Sequence, residues 1–138
     1  MRDLLHRRPL NFREVMAQRA LGVDPATANG NFLDAFYAAK PRQRQSFIEY
    51  EPIPQDGYDV SCDDMAEYAA EAEKLAHDFN LRVPTWTEKP QYFLDRPLLA
   101  GRPIGELRPE LVKVMRDDSP PEFRRRNLYV SNNVLTRM

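Results

Sequence analysis

Asp63-Asp64-Met65-Ala66-Glu67-Tyr68-Ala69-Ala70-Glu71-Ala72-Glu73-Lys74-Leu75-Ala76-His77-Asp78-Phe79 is the stretch from which the fold is read. Met65, Tyr68, Ala69, Ala72, Leu75, Ala76 and Phe79 fall three or one residues apart, the spacing of a single buried stripe on an α-helix. Ser61 or Asp63 can cap the start, and Asp63, Asp64 and Glu67 suit the positive end of the helix dipole. Asn80 follows, a residue that tolerates the left-handed backbone with which helices often end. Away from the stripe, Asp64, Glu67, Glu71 and Glu73 are expected to project outward as an acidic face.

Working upstream, Phe12, Val15, Met16 and Ala20 share one side of a short helix over 12–21, which Gly22 can end. Asp24-Pro25 is a second start signal, a capping aspartate followed by proline in the first turn. Asn29-Gly30 reads as a break, after which Phe32, Ala35, Phe36 and Ala39 resume helical spacing. Pro41 opens a further short helix carrying Phe47, Ile48 and Tyr50, and residues 51–58 form a loop. Downstream, residues 88–94 read as a helix burying Tyr92 and Phe93, which Pro97 ends. A helix over 108–116 is predicted with Leu111, Val112 and Met115 inward. Ser119-Pro120-Pro121-Glu122 reads as a capping box that launches a short helix through Phe123 to Arg126. Leu128 and Val130 suit a short extended segment, and residues 132–138 a last helical turn. No set of strands is long enough to build a sheet. The expected fold is therefore all-α: a single compact domain over 1–138 with about six short helices and one small extended segment. Residues 1–30 are expected as a loosely attached N-terminal helical segment.

A chain of 138 residues buries roughly two-thirds of its unfolded surface and folds without a staple. The single cysteine, Cys62, excludes an internal disulfide and suits a reducing compartment. No apolar run approaches the ~18 residues of a membrane span, and the leading apolar stretch is too short for a secretory signal. A cytoplasmic location is expected, with no membrane partner. Net charge is −1, yet unevenly spread. Residues 49–78 hold ten acidic groups against Lys74, while the segments on either side each carry a net charge of +4. That pattern lacks the coherent basic face of a nucleic-acid binder. It suits either a solvated helix face or docking against a basic partner.

Catalytic signatures are missing from the sequence. Ser119, His77 and His6 are raw material for a hydrolase triad, but no glycine-flanked elbow surrounds any serine. Cys62, His6 and His77 lack zinc-ligand spacing. Asp63-Asp64 and Asp117-Asp118 sit beside helix boundaries, where aspartate is routine. No glycine-rich loop cradles phosphate. No catalytic residue, metal or cofactor is expected. Trp86, with Tyr92 and Phe93 close behind it, suits either the core or an interface anchor. Arg124, Arg125 and Arg126 suit a helix C-terminus or a bidentate anion clamp. All three cannot face one way, so at least one is expected to pair internally, with Asp95 or the acidic helix.

Several of these stretches occur together: Phe32-Leu33 with Phe36-Tyr37; Arg44; Glu51-Pro52; Glu73-Lys74-Leu75-Ala76; Pro84 and Trp86; Phe93-Leu94-Asp95-Arg96-Pro97; Ser119-Pro120 with Phe123-Arg124-Arg125-Arg126; and Leu135. In this combination the chain resembles a bacterial antitoxin-like, regulatory family, common in actinobacteria, whose members occur alone or behind helix-turn-helix domains of the Cro/repressor type. The resemblance covers most of the chain. It implies a non-enzymatic antitoxin that restrains a partner enzyme, such as a nucleotidyltransferase-like toxin. Two departures stand out: residues 1–30 are too short for a complete helix-turn-helix domain, and Leu98-Leu99 follow Pro97 where an aromatic-bearing proline motif is expected. The expected partner-binding residues are Asp64, Glu67 and Glu71, with Trp86, Arg124 and Arg125 second. The alternative is a DNA-binding transcriptional regulator, or its sensor domain, using Arg7, Arg8 and Arg13 with the arginine cluster.

Overall fold

The structure, a computed structural model, describes residues 5–99, 102–105 and 107–136. Among these, six α-helices surround one hydrophobic core, with a three-stranded sheet of two-residue strands at one side. The mostly helical class is as the periodicity predicts.

Helix α1 (Phe12–Ala20) starts where the Asn11 side chain accepts from the Glu14 amide. Helix α2 (Pro25–Ala38) starts at Asp24, which accepts from the Thr27 amide. The break expected at Asn29-Gly30 is absent, and α2 runs straight through it. Glycine costs a helix about 1 kcal/mol relative to alanine. Burying Ala28, Phe32, Leu33, Ala35 and Phe36 outweighs that cost. A 3-10 turn (Pro41–Gln43) leads into α3 (Arg44–Glu49), which buries Phe47 and Ile48. Helix α4 (Cys62–Asp78) is the central element, capped by Ser61, whose hydroxyl accepts from the Asp64 amide at 3.1 Å. Just beyond it, Asn80 takes the left-handed backbone with φ 56°.

The predicted helix over 88–94 is instead two 3-10 turns, Thr85–Glu88 and Pro90–Tyr92. Pro90 lacks an amide proton and biases Lys89 towards extended backbone, so one continuous helix cannot form. Strands β1 (Leu98–Leu99) and β2 (Arg102–Pro103) pair antiparallel, and β1 pairs parallel with β3 (Leu128–Tyr129). In the register, Leu98 stands opposite Pro103 on one side and Leu128 on the other. The sheet corrects the expectation of none. Its strands are too short to show alternation, and β1 meets β3 only after α5 (Pro109–Asp118) and α6 (Pro121–Arg124) have returned the chain. The expected capping box at Ser119 is corrected too. Pro120 occupies the cap position, while the Ser119 hydroxyl donates to Met115 O at 2.6 Å and accepts from the Val130 amide at 3.0 Å. Ser119 thereby closes α5 and anchors the end of β3. Residues 131–136 form turns, and the last two residues of the turn expected over 132–138 lie outside the described residues.

The core runs from Phe12 to Leu135. Phe12 stacks on Phe32 at 4.5 Å, and Trp86 meets the edges of Phe12 and Tyr92 at 5.9 Å each. Residues 12–28, expected within a loosely attached segment, contribute Phe12, Val15, Met16 and Ala28 to that same core. No helix among the described residues is long and apolar enough to cross a membrane.

Candidate functional site

The centre of the molecule is electrostatic as well as apolar, because α4 is enclosed on most sides. Glu73 is 5% exposed and Arg126 is wholly buried. Arg126 bonds Glu73 Oε1 at 2.5 Å, donates to the carbonyls of Glu122 and Thr87, and lies over the Phe93 ring. Arg125 spans Glu73 and Glu88. His77 Nδ1 faces Glu122 Oε2 at 2.6 Å. At the other end of α4, buried Arg19 donates to Asp64 and to the Tyr68 hydroxyl, both at 2.9 Å. Tyr68 in turn donates to Asn29 Oδ1. Glu49 pairs with Arg82, and Glu51 with Lys89. Four of the ten acids in the middle of the sequence, Glu49, Glu51, Asp64 and Glu73, are thus held by the basic ends of the same chain.

What that network leaves over is the candidate site. Among the described residues Asp56, Asp59, Asp63, Glu67 and Glu71 form no ion pair. Glu67 and Glu71 lie one turn apart on α4. Burial first, then the charges of Asp64 and Asp63, push the Glu67 carboxyl up to about 7, against the pull of Arg19. Burial and then the Glu67 charge push Glu71 up to about 8. Glu71 Oε1 is buried without a hydrogen-bond partner. Across the α2–α4 contact, Tyr37 is pushed above its ordinary value by burial, then by Glu71 and Asp78. Its hydroxyl donates to Leu135 O at 2.7 Å. Such a pair holds protons near neutrality.

The residues singled out in sequence separate in space. Asp64 and Glu67 are half-buried and Arg124 is exposed, so these three reach solvent. Glu71 and Glu73 do not project outward, which corrects that expectation; α6 and the 3-10 turns lie against α4. Trp86 is 7% exposed, with its indole N–H donated to Ile48 O, so it is core and not a surface anchor. Arg125 is tied to two carboxylates. Asp64 serves Arg19. On the basic side, Arg7 pairs with Glu14, and Arg13 donates to Glu51 O, while Arg8 is exposed. Ser119 is engaged with backbone groups and His77 with Glu122, so the two do not form a nucleophile–base pair.

Sequence reasoning missed Arg19 and Gln18, buried on α1, because both fell outside the apolar pattern. It anticipated one internal arginine, and Arg126 on Glu73 of the acidic helix is that residue. An open groove of about 310 Å³ lies between α2 and the segment from Gln43 to Phe47. Alanines, Leu10, Gln43, Ser46 and Phe47 line it, so no titratable group is available there for chemistry. No group of three or more His, Cys, Asp or Glu among the described residues is placed to hold a metal ion.

The fold and site describe a small helical domain with an internal charge network and a residual acidic region. No protein-family model matches the chain, and no curated protein or solved structure is significantly similar to it.

Proposed function

We propose that this chain is a non-enzymatic, antitoxin-like binding protein that acts in the cytoplasm and restrains a partner enzyme. The partner would present a basic surface, such as a cleft that ordinarily holds nucleotide or RNA phosphates. The observation that supports this reading is the unneutralised pair Glu67 and Glu71, beside Asp63 and the loop acids Asp56 and Asp59. Half of the central block's acids are matched by the chain's own arginines and lysines; of the other five, Asp56, Asp59, Asp63 and Glu67 reach solvent and are open to another molecule, while Glu71 is buried behind Glu67. A lysine or arginine brought to Glu67 would release its proton and gain a charge-assisted bond.

Co-expression with the product of the neighbouring gene, followed by affinity pull-down and a growth assay, tests the function. A stable complex that rescues growth is the expected outcome; no complex and no toxicity would remove the proposal. Within such a complex, Glu67→Lys is expected to weaken binding by about tenfold or more, with circular dichroism showing that the helical fold is retained. Affinity is also expected to rise as pH increases through about 7, because ionised Glu67 is the binding form. Titration calorimetry at two pH values reads both effects, and a pH-independent affinity would rule out Glu67 as the contact.

A further inference from the structure

Asp56, Asp59, Asp63 and Glu67 reach solvent from two separate elements, yet one buried cation gathers them. Residues 51–60 run along α1, pinned near both ends. Arg13 Nε donates to Glu51 O at 3.2 Å, and Arg19 Nε donates to the Tyr58 hydroxyl at 3.3 Å. Pro52 is buried and Val60 packs on the core, while Ile53, Gln55, Asp56 and Asp59 are exposed. Gly57, with φ 78°, completes the turn that returns the Tyr58 amide to Gln55 O at 3.0 Å. Asp56 and Asp59 therefore flank the pinned tyrosine. The same Arg19 guanidinium lies 5.8 Å from the Tyr58 ring centre and donates to Asp64 and Tyr68 on α4. Arg19 is 7% exposed, so it sits beneath the surface that it organises. Its single charge is matched by Asp64, and from residue 51 to residue 73 the chain has no lysine or arginine. Behind Glu67, Glu71 is 8% exposed and its buried Oε1 has no hydrogen-bond partner, an acceptor that the described residues leave unused.

We propose that Arg19 is the positioning residue of the binding surface: with Tyr58 and Asp64 on one guanidinium, it presents the loop acids Asp56 and Asp59 together with Asp63 and Glu67 of α4 to a lysine- or arginine-rich segment of the partner. This rests on the binding reading above and adds Arg19 and the loop to it. Charge complementarity names the occupant, since neither element offers a cation of its own. Lysine could not replace Arg19, because an ammonium lacks the rigid fork that meets a carboxylate and two hydroxyls at once.

An oligolysine peptide is the probe, titrated into the full chain by calorimetry at low ionic strength, with amide hydrogen exchange read on the same variants. The parent is expected to bind, and added salt to weaken the binding. Asp56→Lys and Asp59→Lys should each weaken it by about threefold or more. Tyr58→Ser removes the ring and its bond to Arg19, and should weaken it by about fivefold while speeding exchange of the residue-58 amide by about tenfold and leaving α4 protected. Arg19→Lys should match Tyr58→Ser. Tyr58→Phe keeps the ring over Arg19 and should stay within about twofold of the parent, a rescue that separates positioning from charge. Parent-like binding by Tyr58→Ser, or by both loop aspartate variants, overturns the role of Arg19 and the loop; a parent that does not bind the peptide overturns the surface itself. A Tyr58-dependent oligolysine complex, found where the neighbouring gene's product does not bind, supports the surface and removes only the antitoxin reading.

Discussion

Wild-type protein is expected to lose about 2–4 kcal/mol of stability between about pH 5 and pH 8, and Glu71→Gln to abolish most of that loss. Burial drives the effect. Glu71 is 8% exposed, its Oε1 lacks a hydrogen-bond partner, and Glu67 lies one turn away. Its folded pKa, about 8, stands above the ordinary 4.5. Between those values the folded state keeps a proton that the unfolded chain has released. The associated stability is therefore full below 4.5 and is lost as pH rises through 8. Glutamine is uncharged throughout, so its advantage over glutamate is near zero in acid and grows with pH. Urea denaturation of parent and variant at both pH values measures it, and taking the difference cancels groups common to the two. Glu67, Asp64, Asp63, Arg19 and Tyr37 surround the site and broaden the transition without reversing its sign. Parallel pH profiles for the two proteins would show that Glu71 ionises freely in the folded state.

The second large effect belongs to the buried ion pair. Arg126→Ala is expected to cost about 3–5 kcal/mol, because it strips the buried Glu73 of the nearer of its two arginine partners and frees two buried carbonyls. Arg126 is fully buried, on Glu73 and the carbonyls of Glu122 and Thr87. Arg125 cannot substitute fully, since its guanidinium lies towards solvent and is shared with Glu88. Changing both partners, as in Glu73→Leu with Arg126→Met, should recover more than half of the loss: no lone charge remains, and methionine can fill the space over Phe93. Chemical denaturation of the single and double variants reads this coupling. A loss of less than about 1 kcal/mol in Arg126→Ala would mean that the pair is solvated and does not hold α6 to α4.

The helices were legible because they rest on local chemistry. Asn11, Asp24 and Ser61 each cap a helix through their own side chains, and the Met65–Ala76 stripe is buried as its spacing predicts. Misreadings arose where burial is decided by remote neighbours. Glu71 and Glu73 were placed on an outer face because one stripe was taken to imply one buried side. A signal against that was present: Ala66 and Ala70 lie off the stripe, and both are wholly buried. Small residues around the whole circumference mark a helix approached from several directions. At Leu111, expected inward but 45% exposed, the error was reversed, since amphipathic spacing shows that a face is apolar but not what covers it.

The candidate site was legible only in outline. Net charge along the chain showed that the middle was acidic and the ends basic. It could not show that Arg19 would take Asp64, or Arg125 and Arg126 Glu73, across 45 to 53 residues. By itself the sequence determined the helical class, the starts of α1, α2 and α4 and the separation of charge into blocks, because these depend on residues within a turn or two of one another. Only the tertiary structure decided which carboxylates are neutralised and which remain, and that Trp86 is core. Those outcomes depend on which segments desolvate one another, and a free carboxylate differs from a paired one only by the neighbour that folding brings to it.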